Sequence, residues 1–326
     1  MTFADAAEAW LLHGERKRNL KRSTLRDYRQ VLDTYLLPPS EGRSEGRTRF
    51  GRAAFAAKPL RDIRAAEVKH WYDALPYGRT AEKLLMVVTA VFAHARGRGW
   101  TESDPCTAVE RQLVRYSGDY DFYSGEEISA LTRAAANEQD AALYLTAAMT
   151  GLRRGELVAL RWRDIDFPGQ AIRVRANYSH GELVTPKSGK VRSVPMVSEV
   201  AEALARLGQR EFFTAEGDPV FVGQAGQHMD ASALRRRYAQ AAKSAGLRPL
   251  PFHSLRHHFG SMAVNRASLV QVQSWMGHAH IQTTARYLHA KSQADDAALL
   301  ASAFAPTAAA VQQEASQTAR TRGGRT

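Results

Sequence analysis

Six side chains in the C-terminal two thirds of the chain have the types and spacing to do chemistry on a phosphodiester: Arg153, Lys187, His253, Arg256, His278 and Tyr287. They lie in four distinctive strings: TGLRRGEL from Thr150, TPKSGK from Thr185, HSLRHH from His253 and MGHAHIQTTARY from Met276. A phenol has an ordinary pKa near 10, so Tyr287 attacks at neutral pH only where cations or a base favour the phenolate. Guanidinium forks at Arg153 and Arg256 suit the non-bridging oxygens of a pentacoordinate phosphorus, because they meet them in a fixed plane. His253 and Arg256 are three residues apart and share a face if helical. Imidazole titrates near neutrality, which fits His253 and His278 for proton transfer or hydrogen bonding.

Competing readings exist for each position. Arg154 neighbours Arg153, and Lys190 shares its turn with Lys187. One tyrosine among 11 is more often a packing residue than a nucleophile. The five histidines His253, His257, His258, His278 and His280 could be mistaken for metal ligands, but no H-E-x-x-H string accompanies them and arginine within the cluster would repel a divalent cation. The chain has one cysteine, Cys106, which excludes an intramolecular disulfide and a multi-thiolate zinc site. It also has no G-x-x-x-x-G-K-[ST] loop, so ATP is not expected to drive the reaction, and no cofactor is expected.

Taken jointly, the order and spacing of the strings resemble the tyrosine recombinase, or phage integrase, family, with a Xer-like two-domain organisation. Arg153 and Glu156 match the family's G-x-R-x-x-E pattern. The resemblance implies a site-specific DNA recombinase, a phage or mobile-element integrase, that cuts and rejoins strands through a 3′-phosphotyrosyl bond. In that scheme Tyr287 attacks, and Arg153, Arg256 and His278 hold the phosphate oxygens. His253 handles a proton, and Lys187 protonates the departing 5′ oxygen. Implied partners are double-stranded core DNA, three further copies in a homotetramer, and accessory directionality or DNA-bending proteins. A type IB topoisomerase, or a catalytically silent DNA-binding protein on the same fold, is the alternative.

The elements that must position these residues are mostly helical. Phe3, Ala6, Ala7, Trp10 and Leu11 recur at helical spacing, and Leu25, Tyr28, Val31, Leu32, Tyr35 and Leu36 line a second apolar face. IRAAEVKHWYDAL and TAEKLLMVVTAVFAHARGRGW supply two more helices, separated from the first pair by the Pro/Gly/Ser-rich PPSEGRSEGRTRFGR. The resemblance makes this unit a helical core-binding, SAM-like domain over residues 1–112, followed by a linker at 113–122. The string SGEE offers a capping box, Ser124 with Glu127, at the start of a mixed α+β catalytic domain over 123–305. Ala141 to Met149 and Gly155 to Trp162 read as helices. Alternation in AIRVRA, LVTP and VRSVPM predicts a small antiparallel sheet with the KSGK turn closing one hairpin. KSQADDAALLASAF would dock on a neighbouring protomer, and 306–326 reads as a disordered tail. The core-binding pattern starts almost at Met1, so the expectation is a protein without the extra arm-site domain that some integrases place first.

With 45 Lys and Arg against 33 Asp and Glu, the formal charge of +12 favours a polyanionic partner. No stretch approaches the roughly 20 apolar residues of a membrane span and the start lacks signal-peptide order, so the expectation is a cytoplasmic protein without a membrane partner.

Overall fold

The computed structural model describes residues 1–37, 53–76, 78–113, 121–185 and 191–290. The chain divides into two compact units, Met1–Ser117 and Gly118–Thr326.

In the first unit α1 (Phe3–Arg16) starts at a Thr2 cap that exchanges hydrogen bonds with Asp5, satisfying amides that the helix itself cannot. α2 (Arg22–Val31) runs on into a π turn, Leu32–Leu36. α3 (Ala65–Asp73) and α4 (Arg79–Gly97) complete the unit. The apolar faces expected from sequence meet in one core: Phe3, Ala7, Trp10, Leu32 and Leu36 pack with Val68, Tyr72, Leu84, Val88 and Phe92. The PPSEGRSEGRTRFGR segment lies outside the described residues.

The second unit opens with α5 (Gly125–Arg133), where Ser124 and Glu127 form the capping box that SGEE predicts. α6 (Glu138–Thr150) is the central helix, with Leu143, Tyr144, Ala147 and Ala148 buried around it, and ends at Gly151 in the left-handed conformation. α7 (Arg154–Ala159) is shorter than the Gly155–Trp162 helix expected. Leu160 turns extended so that Arg161 can bridge Pro219, and Trp162–Asp164 is a separate 3-10 turn.

Five short strands follow: β1 (Ile165–Asp166), β2 (Ala171–Val174), β3 (Asn177–Ser179), β4 (Glu182–Val184) and β5 (Arg192–Pro195). They form two sheets, β1-β2-β5 and β3-β4, all antiparallel. This corrects the expected pairing of LVTP with VRSVPM. His180 and Gly181 both have positive φ, the geometry of a two-residue hairpin turn, so β4 folds back on β3. β5 instead pairs with β2 in the register Ile172↔Val194, which puts both side chains in the core. The KSGK turn itself, with Lys187 and Lys190, lies outside the described residues.

α8 (Ser198–Leu207), α9 (Ala231–Ser244), α10 (Ser254–Ala263), α11 (Leu269–Met276) and α12 (Ile281–Ala285) return the chain to helix, and a 3-10 turn, Arg286–Ala290, carries Tyr287. KSQADDAALLASAF and 306–326 fall outside the described residues, so neither reading of the C terminus meets a structural observation. No described helix is long and apolar enough to cross a membrane.

Candidate active site

Five of the six residues expected to do chemistry are brought together in the second unit; the sixth, Lys187, is not described. Arg153 is delivered by the start of α7. Its backbone N–H donates to Glu156 Oε2 at 2.8 Å, capping the helix, while Nη1 donates to Oε1 at 3.0 Å and Nη2 to the Gly277 carbonyl at 3.0 Å. Arg154 is exposed and makes no part of this network, which separates the two adjacent arginines.

Glu156 is buried, and it is held by a residue that the sequence reading left out. Arg192, at the head of β5, donates from Nη1 and Nη2 to the two Glu156 oxygens at 2.9 and 2.7 Å, and from Nε to the Trp275 carbonyl at 2.8 Å. Burial alone would push the Glu156 carboxyl up. The hydrogen bonds and charge of Arg192, followed by Arg153, outweigh it and leave the pKa below the usual range. A signal for Arg192 exists in the sequence: in VRSVPM it alternates in phase with Val194, so a charge points where the strand faces the core.

α10 supplies the next group. Arg256 is 2 % exposed, and its guanidinium donates to the Gly151 carbonyl, to Met276 O at 2.7 Å and to His278 Nε2 at 2.8 Å. Burial, then the charge of Arg153, disfavours the Arg256 cation and lowers its pKa, although a guanidinium stays protonated at neutral pH. Because Arg256 can only donate, His278 Nε2 is the acceptor and the ring proton sits on Nδ1, where it faces Thr284 Oγ1 at 2.9 Å. Both nitrogens of His278 are thus engaged. Donation to a phosphate oxygen by Nε2 requires Arg256 to release it and the proton to move.

His278 is presented by Gly277, whose φ of 64° ends α11 in the left-handed region. A Cβ there would also lie 3.0 Å from the Arg192 guanidinium. Burial, followed by Arg256, Arg153 and Arg192, pushes His278 down to about 3. His253 precedes α10 and lines an open recess of about 900 Å³ with Arg153, Arg154, Tyr178, His180 and Arg235. Partial desolvation in the recess, then the charges of Arg256 and Arg153, pushes His253 down to about 4.

Tyr287 is 3 % exposed and packs with Val264, Val272 and Met276. Its ring lies over Gly260, where a Cβ would come within 2.6 Å of Tyr287 Cζ, so glycine permits this approach. The ring stacks near-parallel to His278 at 6.4 Å between centroids. Its hydroxyl is 3.0 Å from Nδ1 of His257, a residue given no catalytic part above. His258, the last histidine of HSLRHH, is buried and bonded to the Tyr123 carbonyl at 2.7 Å, a packing role. Among the described residues no three His, Cys, Asp or Glu side chains come together as a metal-ligand set.

Two guanidiniums, several imidazoles and a phenol are thus joined in one cluster of side chains, the group types suited to holding and attacking a phosphodiester. Comparison with known proteins gives the family. The model of the phage integrase family matches residues 122–294, and the chain belongs to that family. It is 29% identical over 303 residues to a Mycobacterium tuberculosis protein named as the prophage phiRv2 integrase, spanning 90% of this chain and 76% of that one. It is 27% identical over 263 residues to a "Tyrosine recombinase XerC-like" protein of Caldanaerobacter subterraneus, spanning 70% and 67%. In fold it is similar to the Tn1549 transposon integrase solved with transposon right end DNA, with a TM-score of 0.66, 21% identity, and coverage of 94% of this chain and 100% of that one. The protein is a site-specific recombinase, an enzyme that breaks and rejoins DNA.

Proposed function

We propose that Tyr287 is the nucleophile and that Arg153 and Arg256 receive the scissile phosphate of a double-stranded core site. The observation that carries this reading is the convergence of the Tyr287 phenol, the Arg256–His278 pair and Arg153 at the carbonyl end of α11. The phenol oxygen forms the new P–O bond, the 5′ oxygen leaves, and the negative charge on the non-bridging oxygens falls to the guanidiniums. The phosphotyrosyl bond conserves the energy of the phosphodiester, so a 5′ hydroxyl from the partner strand reverses the step without a nucleotide.

The expected Lys187, in the segment of sequence between β4 and β5, protonates the leaving 5′ oxygen in this scheme. His253, open to the recess, handles a proton on the substrate side, and His278 donates to a non-bridging oxygen once Arg256 turns to the phosphate. The exposed bases Arg16, Lys17, Arg18, Lys21, Arg22 and Arg26 around the α1–α2 turn supply phosphate contacts from a core-binding unit, residues 1–112. The stretch 123–305 acts as the catalytic domain. Exchanging two duplexes breaks four strands, and one tyrosine breaks one strand, so four copies assemble on the DNA. The reaction belongs in the cytoplasm, on phage or chromosomal DNA, where accessory directionality or DNA-bending proteins can select its outcome.

The test is covalent capture. A pool of nicked duplexes with a randomised core, incubated with the protein and denatured, yields the preferred duplex as a protein–DNA adduct. Tyr287→Phe should bind that duplex with unchanged affinity and form no adduct. A normal adduct yield from Tyr287→Phe overturns the assignment.

A further inference from the structure

The histidine that touches the candidate nucleophile is not the one at the head of HSLRHH but the one four residues later. His257 Nδ1 lies 3.0 Å from the Tyr287 hydroxyl, whereas no hydrogen bond joins His253 to it among those described. His253 instead meets His257 edge-on, at 4.8 Å between ring centroids, and faces the recess. We infer that His257 is a further catalytic residue, the base that takes the phenolic proton from Tyr287 as the phosphorus is attacked. The inference rests on the reading of Tyr287 as nucleophile.

The geometry assigns each part of the step. With the ring proton of His257 on Nε2, Nδ1 presents a lone pair to the phenol O–H, which donates. The proton passes to Nδ1, the phenol oxygen forms the bond to phosphorus, the bond to the 5′ oxygen breaks, and that oxygen takes a proton from the acid on the substrate side. When the 5′ hydroxyl of the partner strand attacks, the phenolate leaves and recovers its proton from the same imidazolium. A base and an acid on opposite sides of the phosphorus let both half-steps run without free phenolate or alkoxide.

The seat of this pair is fixed from several directions. Gly260, one turn along α10 from His257, lets the Tyr287 ring close down, and the ring of His278 stacks behind it. Titratable and charged groups around His257 among the described residues include His253 and Arg256 from its own helix region and Tyr287 from the 3-10 turn. Desolvation, then His253 and Arg256, pushes His257 down to about 4, so at neutral pH the ring is uncharged and able to accept. A phosphate bound at Arg256 offsets the cation beside it and makes the ring a stronger base when substrate is present.

Single-turnover adduct formation on the captured duplex tests this. His257→Ala and His257→Gln should each slow it by about 100-fold at pH 7, the usual range for general base catalysis, with DNA affinity unchanged. The gap should narrow as pH rises toward 9.5, where hydroxide removes the phenolic proton instead. A wild-type rate in His257→Gln, which keeps a hydrogen-bonding side chain, overturns the base, and so does a gap that stays constant with pH. Should neither variant bind DNA, the wild-type rate must itself rise through one ionisation as pH climbs from about 3.5 to about 7, the base losing its proton there; a rate flat over that whole range overturns the base. Tyr287→Phe run alongside keeps the two assignments apart: an adduct there overturns the nucleophile, whereas a normal His257→Gln rate with no Tyr287→Phe adduct overturns the base alone.

Discussion

At the residue scale the site is a chain of buried charges in which each member orients the next. Glu156 orients Arg153, and Arg192 in turn neutralises Glu156, so the carboxylate can sit beside Arg153 without cancelling its charge. Removing Arg192 strips the buried Glu156 carboxylate of its two-bond partner and leaves it to Arg153. Arg192→Ala should therefore lower the unfolding free energy by about 3–5 kcal/mol, and Arg192→Lys should recover only part, because an ammonium cannot form the paired bonds. Adding Glu156→Gln to Arg192→Ala should return much of the loss; urea unfolding of the single and double variants measures it, and additive losses would contradict the coupling. Arg153, His253, Arg256, His278 and Tyr287 were legible because each stands in a string with its own spacing. Arg192 and His257 were not. The first looks like one more basic residue in a strand until its register is known, and the second earns attention only from a partner 30 residues away.

At the element scale the helices were legible from apolar period and caps, as with Ser124 and Glu127. Strand pairing was not, because LVTP can alternate against either neighbour and the choice rests on the positive φ of His180 and Gly181. The most consequential element boundary is the end of α11. Gly277 there does three things at once: its φ of 64° stops the helix, its carbonyl accepts from Arg153, and its missing side chain leaves room for Arg192. Gly277→Ala should cost about 1–2 kcal/mol from the left-handed backbone alone. It should also slow adduct formation at saturating DNA by more than ten-fold, since Arg153 and His278 lose their common anchor. Melting and single-turnover rates on the same preparation check both halves, and a variant that loses stability but cleaves normally would deny the boundary its positioning role.

At the scale of the whole molecule the charge of +12 pointed to a polyanion, and alone it would have fitted any basic protein. What the sequence could not convey is how strongly the second unit resists protons. Burial and neighbouring charges hold the half-buried His257 at about 4 and His278 at about 3, both below the ordinary imidazole. For such groups the unfolded chain binds protons more tightly, so the folded state loses stability as pH falls below about 6.5, and the loss continues until the folded-state values are reached. Glu156 works in the same sense at lower pH: its depressed carboxyl stabilises the fold above its unfolded value near 4.5 and ceases to as pH falls through the folded one. The melting temperature should therefore be nearly level from pH 8 to 7 and drop by at least about 5 °C between pH 7 and 5. Bound duplex should reduce that drop, because phosphates beside Arg153 and Arg256 make imidazolium less costly. Thermal melts across this range, with and without the captured duplex, decide it: a melting temperature that holds or rises in acid would mean that these imidazoles are not kept neutral by the site.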